Sequence, residues 1–241
     1  MNENPTEPPE LPSADPKPNE ARKLEMKLPD IVDALMKRPS EITGELISSQ
    51  NQKLLAILAL AALAAFLVYG LLIGSFSGEM QWIAAPLKVA GGMLATVAIC
   101  FPSLYILLCL SGADISMRSA LGLVIASIAL AGLLLLGFAP IAWVFSQSTN
   151  SAPFIGALYL IIWLIAVGFG LTLLSMPFRR NSRTDSNYIV LWKGIFILVA
   201  LQMTTTLRPI VGTSPNWLSA ERKFFLSYWM ENMSDSPEAR K

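Results

Sequence analysis

The chain contains no histidine at all. That absence removes the commonest general base and the commonest metal ligand together. Cysteine is nearly absent too, with only Cys100 and Cys109. They fall nine positions apart in one predicted helix, on opposite faces and about 13 Å apart along its axis. They cannot form a disulfide with each other and read as apolar thiols. Charge is the third shortage. Charged residues make up 15% of the chain, against about 25% in soluble domains. Of the 35 charged residues, 17 lie in positions 1–53 and nine in 208–241, leaving nine for the 154 residues between. A soluble fold would have too little polar surface over such a stretch. The net charge of +1 gives no field that would gather nucleic acid.

What is abundant is apolar length. Hydrophobic residues are 54% of the chain and mean hydropathy is +0.53. Five runs are long enough to cross about 30 Å of hydrocarbon as helices: 54–74, 82–110, 119–145, 154–176 and 188–207. Pro140 and Trp143 stand near the end of the third, where an interfacial belt belongs. Pro177 halts the fourth and Pro209 follows the fifth. The expected fold is all-α: a polytopic transmembrane helical bundle of five spans filling 53–208. No cleavable signal precedes the first span, which therefore acts as its own insertion signal.

Basic residues set the orientation. Seven precede the first span, Arg118 lies in the 111–118 loop, and Arg179, Arg180 and Arg183 lie in 178–187. The connections near 75–81 and 146–153 have none. The pattern predicts an N-terminus inside and a C-terminus outside. The tail beyond Leu207 also carries basic residues, but most lie past Ala220, where the rule weakens.

Both ends differ from the middle. Residues 1–19 hold six prolines and several acidic side chains, and read as a disordered tail. In 20–52, Leu24, Leu28, Ile31 and Leu35 recur at helical spacing. Pro29 and Asp30 open a fresh turn, Pro39 stops the helix, and Ser40 is placed to cap a second one carrying Ile42, Leu46 and Ile47. With Lys23, Lys27, Lys37 and Arg38 nearby, these amphipathic cytoplasmic helices suit either an anionic leaflet or a docking place on the ends of the spans. In the outside tail, 209–241, Ser219 can cap a helix with Phe224, Phe225, Tyr228 and Trp229 on one face, fit for the membrane interface or a docking surface.

The spans are poor in reactive chemistry. They contain no Asp or Glu; Glu79, Asp114 and Asp185 fall in loops on opposite sides. No catalytic residue, cofactor site or metal site is expected. Lys88 and Lys193 lie near predicted interfaces, where long side chains snorkel outward. Two features stand out. Gly91, Gly92 and Pro102 interrupt the second span, where a proline frees backbone carbonyls. Gln202, Thr204, Thr205, Thr206 and Arg208 crowd the end of the fifth. Gln202, Thr205 and Arg208 make the candidate functional cluster, although a plain helix terminus explains them as well. Gly70 and Gly74 form a GxxxG in the first span, and the pairs Gly91/Ala95, Gly122/Ala126 and Ala166/Gly170 follow in the next three. Small residues at this spacing let helices approach closely, in a compact bundle or in self-association.

The layout resembles the Yip1-domain family: a cytoplasmic N-terminal region, five spans and a short outside tail. Leu35–Ser40 (LMKRPS) before the first span and Ser111–Ala120 (SGADISMRSA) between the second and third carry the likeness, which covers most of 30–207. The acidic–aromatic stretch of eukaryotic members is missing, so the vesicle-traffic role of those members does not carry over, and no functional residue transfers. The chain is most similar in kind to bacterial inner-membrane proteins, with an ER or Golgi membrane as the alternative. The expected function is that of a non-enzymatic membrane scaffold or interaction protein, partnered by the bilayer and by other membrane proteins or copies of itself. The alternative is a transport or channel-like component acting as an oligomer, and a membrane enzyme is the third class.

Overall fold

A computed structural model of the chain describes residues 28–49, 51–77, 81–148, 152–178 and 186–206. The described residues form seven helices: α1 Leu28–Lys37, α2 Pro39–Ser48, α3 Gln52–Ser77, α4 Gln81–Leu110, α5 Met117–Ser148, α6 Ala152–Ser175 and α7 Ser186–Thr206. The helix boundaries of α3 to α7 fall within three residues of the five apolar runs. Four of them, α3 to α6, are long and apolar enough to cross a membrane, which points to an integral membrane protein. The apolar part of α7 is shorter, Asn187–Met203. The tails 1–19 and 209–241, with the aromatic helix expected in the latter, lie outside the described residues.

Local chemistry sets the helix ends. The Asn51 side chain accepts from the amides of Lys53 and Leu54 at 3.1 and 3.5 Å, opening α3. Ser116 opens α5, its hydroxyl oxygen accepting from the Ser119 amide at 3.2 Å. Both satisfy amides that have no partner inside the helix. α4 closes in a left-handed turn. Gly112 has φ 77, its amide bonds the Cys109 carbonyl, and the Ala113 amide bonds the Leu108 carbonyl. That pair of bonds is a Schellman motif, and it needs the freedom of glycine at that one position. The cap of α2 is not Ser40. Arg38 holds the N-cap position without a side-chain capping bond, and Pro39 occupies the first turn. Proline's fixed φ suits the first helical residue, so Pro39 both ends α1 and begins α2.

The helices α3 to α7 do not pack in chain order. α5 has α3 on one flank and α6 on the other; α3 also packs on α4, and α4 on α7. The spatial order is therefore α6, α5, α3, α4, α7. In lipid there is no hydrophobic drive between apolar helices, so close packing must supply the attraction. Small residues provide it at two crossings of α5. A Cβ on Gly132 would stand 2.8 Å from the Ala65 Cβ of α3, and one on Gly170 of α6 would stand 2.5 Å from the Ser127 carbonyl oxygen of α5.

α1 and α2 form a short hairpin docked on one end of this bundle. Ile31, Ala34, Leu35, Ile42 and Leu46 are buried there, and Leu46 sits 3.1 Å from where a Cβ on Gly122 of α5 would be. Of the two readings open for these helices, the docked one holds for this face. Their polar side is solvated and carries the exposed pairs Lys37–Asp33 and Arg38–Glu41. Exposed Trp82, Trp143 and Phe154 mark the opposite end of the bundle, as an aromatic belt does.

Candidate functional site

The small residues divide into two kinds. Gly70 is a contact: a Cβ there would lie 2.5 Å from the Pro86 Cα and 3.2 Å from the Ala85 carbonyl oxygen. α3 and α4 thus cross with backbone against backbone, and this glycine serves packing within one chain. Gly74 and Gly92 are buried. Gly91 is different, exposed and with nothing within 4 Å of an added Cβ. It does not pack α4 onto another described helix. Pro86, which the sequence reading passed over, is the other half of the Gly70 crossing. A proline inside an apolar run was its only signal.

Pro102 lies within α4 without ending it. Lacking an amide proton, it leaves the Ala98 carbonyl without a helical donor and loosens the ladder around it. Beside that break the Cys100 carbonyl accepts two side chains, the Ser103 hydroxyl at 2.7 Å and the Trp192 indole N–H of α7 at 3.0 Å. Trp192 is 0% exposed and its ring stacks at a tilt on Phe196, 5.1 Å between centroids. A buried indole needs an acceptor; here it finds one in the helix backbone and pins α7 to α4.

That bond also fixes a register. α4 and α7 run antiparallel, so Gln202, ten residues past Trp192, comes level with about residue 90 of α4. Lys88 is there. It is 7% exposed and does not snorkel outward as its place near the end of the second span implied. Trp82, Ile83 and Leu87 take the exposed side of that turn instead. At this level α4 carries the buried Lys88 and α7 the half-buried Gln202. Thr205 belongs to α7, and Arg208 lies outside the described residues, so the cluster Gln202, Thr205 and Arg208 is represented in its packing by Gln202 alone.

A second polar node joins α3 and α6 across α5. The Tyr69 hydroxyl donates to the Tyr159 carbonyl at 3.3 Å, and the two rings meet edge to face at 6.2 Å. The Tyr159 hydroxyl is buried beside Ser146 of α5. Elsewhere the buried hydroxyls turn back on their own helices. Thr96 donates to the Gly92 carbonyl, Ser111 to Leu108, Ser127 to Leu123 and Ser146 to Trp143. Such bonds satisfy each of these four groups locally.

Both cysteines are free, Cys100 buried and Cys109 exposed. Among the described residues no three His, Cys, Asp or Glu side chains gather as a metal site would require. Comparison with known proteins finds no matching family model, no matching curated protein and no matching solved structure.

Proposed function

We propose that the chain is a non-enzymatic membrane scaffold that spans the bilayer five times, with α1 and α2 on the cytoplasmic side and the C-terminus outside. Its 21-residue α7 is about 31 Å long, enough to cross. Every short connection rich in Arg lies on the side of α1 and α2 in this arrangement. The membrane it fits best is the bacterial cytoplasmic membrane, and its layout is the one the Yip1-domain proteins share. Its partners are the bilayer and other membrane proteins or further copies of the chain.

The observation that carries the scaffold reading is the local fate of the buried hydroxyls. Catalysis or permeation needs polar groups aimed at a common point or path; the buried hydroxyls of Thr96, Ser111, Ser127 and Ser146 are aimed at the backbone of their own helices. Purified protein in liposomes tests it. The scaffold reading expects no ion or solute flux above that of protein-free vesicles, and reproducible flux would overturn it. Topology has its own test: a reporter at Asp185 is expected inside and one after Lys241 outside. Finding both on one side would end the five-span reading.

One observation favours the alternative, a transport component. A lysine buried in a spanning helix is costly and is associated with ion or substrate paths, and Lys88 is such a residue, between Pro86 and Pro102 and level with Gln202. If flux is found, Lys88→Met and Gln202→Ala should abolish it, whereas Lys53→Ala should not.

A further inference from the structure

α1 and α2 have ten residues each, about 15 Å of helix and too little to cross a bilayer. They nevertheless expose large apolar side chains. Leu28 and Met36 are 50% and 57% exposed, and Ile47 is exposed as well. On a spanning helix such exposure is ordinary. On a hairpin docked at one end of the bundle it calls for a cover, because apolar surface is driven out of water.

The arrangement around α1 shows where that cover lies. At about 100° per residue, the helix divides into three sectors. Ile31, Ala34 and Leu35 form the buried one. Asp30, Asp33 and Lys37 form an exposed charged one, with Lys37 paired to Asp33. Leu28, the half-buried Val32 and Met36 stand one turn apart and fill the wider arc between those two. α2 repeats the order: Ile42, Thr43 and Leu46 are buried, and exposed Ile47 flanks them on the side away from Glu41 and Glu45. A helix between protein and water alone needs two sectors. The third, apolar and uncovered, marks a second apolar medium.

Depth identifies that medium. Leu46 packs 3.1 Å from where a Cβ on Gly122 would stand. Gly122 lies four residues, about 6 Å, further into α5 than Arg118. Arg118 and Lys53 are exposed near the starts of α5 and α3, where basic side chains meet the headgroups. The docked face of the hairpin therefore reaches past the level of those charges. An amphipathic helix at the boundary of headgroups and acyl chains buries its apolar face to about 5–10 Å. We infer that α1 and α2 form an interfacial hairpin, one face on the bundle and the strip Leu28, Val32 and Met36, with Ile47, among the acyl chains of the adjoining leaflet. Its charges are largely paired within the hairpin, Lys37 with Asp33 and Arg38 with Glu41, so the apolar strip holds it in zwitterionic lipid without help from anionic headgroups. The inference rests on α3 and α5 crossing the bilayer.

Fluorescence quenching in phosphatidylcholine nanodiscs tests it. With Cys109→Ala in the full chain and Cys100 buried, bimane is attached through Met36→Cys, Asp30→Cys or Leu60→Cys, all at exposed positions. Bimane at position 36 should emit to the blue of that at position 30. It should lose intensity to lipid carrying a doxyl group high in its acyl chain and resist aqueous iodide. Position 30 should show the reverse. Position 60, in the middle of α3, should be quenched by a doxyl group deep in the chain. Iodide quenching at 36 together with lipid quenching at 60 would overturn the inference and leave the spanning reading intact. Shielding of 36 from both quenchers would also overturn it, since protein, from a second copy or from this chain, would then be the cover. Absence of lipid quenching at 60 would overturn the spanning reading and this inference with it.

Discussion

Gly70 and Gly91 have the same chemistry and opposite surroundings. A side chain at Gly70 would press on the Pro86 backbone, whereas one at Gly91 would enter open space. Gly70→Leu is therefore expected to destabilise the bundle by about 1–3 kcal/mol, the usual cost of overpacking. Gly91→Leu should stay within about 0.5 kcal/mol of the wild type. Unfolding in mixed micelles with increasing SDS distinguishes them, and equal losses would mean the α3–α4 crossing is misplaced. Trp192 makes a third case at this scale. Trp192→Phe keeps an aromatic ring but deletes the donor to Cys100, which should cost about 0.5–1.5 kcal/mol in the same assay.

Among the elements, the α1–α2 hairpin is the piece whose attachment rests on fewest contacts. Leu46 reaches Gly122, and a carboxylate there would be buried without a partner. Leu46→Asp should release the hairpin while the spans stay folded, seen as faster trypsin cleavage after Lys37 with little change in bundle unfolding. The sequence disclosed the helices themselves well. Apolar length alone placed α3 to α7 within three residues, because a helix in lipid must satisfy its own backbone and has few alternatives. It disclosed α1 and α2 through their spacing, but not whether their apolar face met lipid or protein, since both are apolar. Neighbour relations were hidden for the same reason. Nothing in an apolar run tells Gly70 from Gly91; the difference lies in which helix crosses there. The candidate cluster shows the same limit. Gln202 and Thr205 were visible as polar residues in an apolar run, but the register bringing Gln202 level with Lys88 depends on Trp192 meeting Cys100. Lys88 itself was legible as a charge, and its inward face was not.

For the whole molecule, the order α6, α5, α3, α4, α7 makes α7 the cover of α4. Cys100 is buried and Cys109 exposed, so a membrane-permeant maleimide should label the full chain mainly at Cys109. A chain ending at Asp185 lacks that cover and should label at both. Unchanged protection of Cys100 after this truncation would show that another surface shields it.

The same order has a consequence for how the protein is made. Spans leave the ribosome in sequence, and α3, α4, α5 and α6 each emerge beside a helix they will keep as a neighbour, in the pairs α3–α4, α3–α5 and α5–α6. The last helix, like α5, packs mainly on a helix earlier than its predecessor, and for α7 that helix is α4. It must reach α4, and until it arrives the loosened backbone near Pro102 has no indole to hold it. Completion is thus a long-range closure at the end of synthesis, slow relative to the local pairings before it. A chain stalled before that step displays an unfinished face to the membrane's quality-control proteases, so the yield of mature protein depends on the last helix returning.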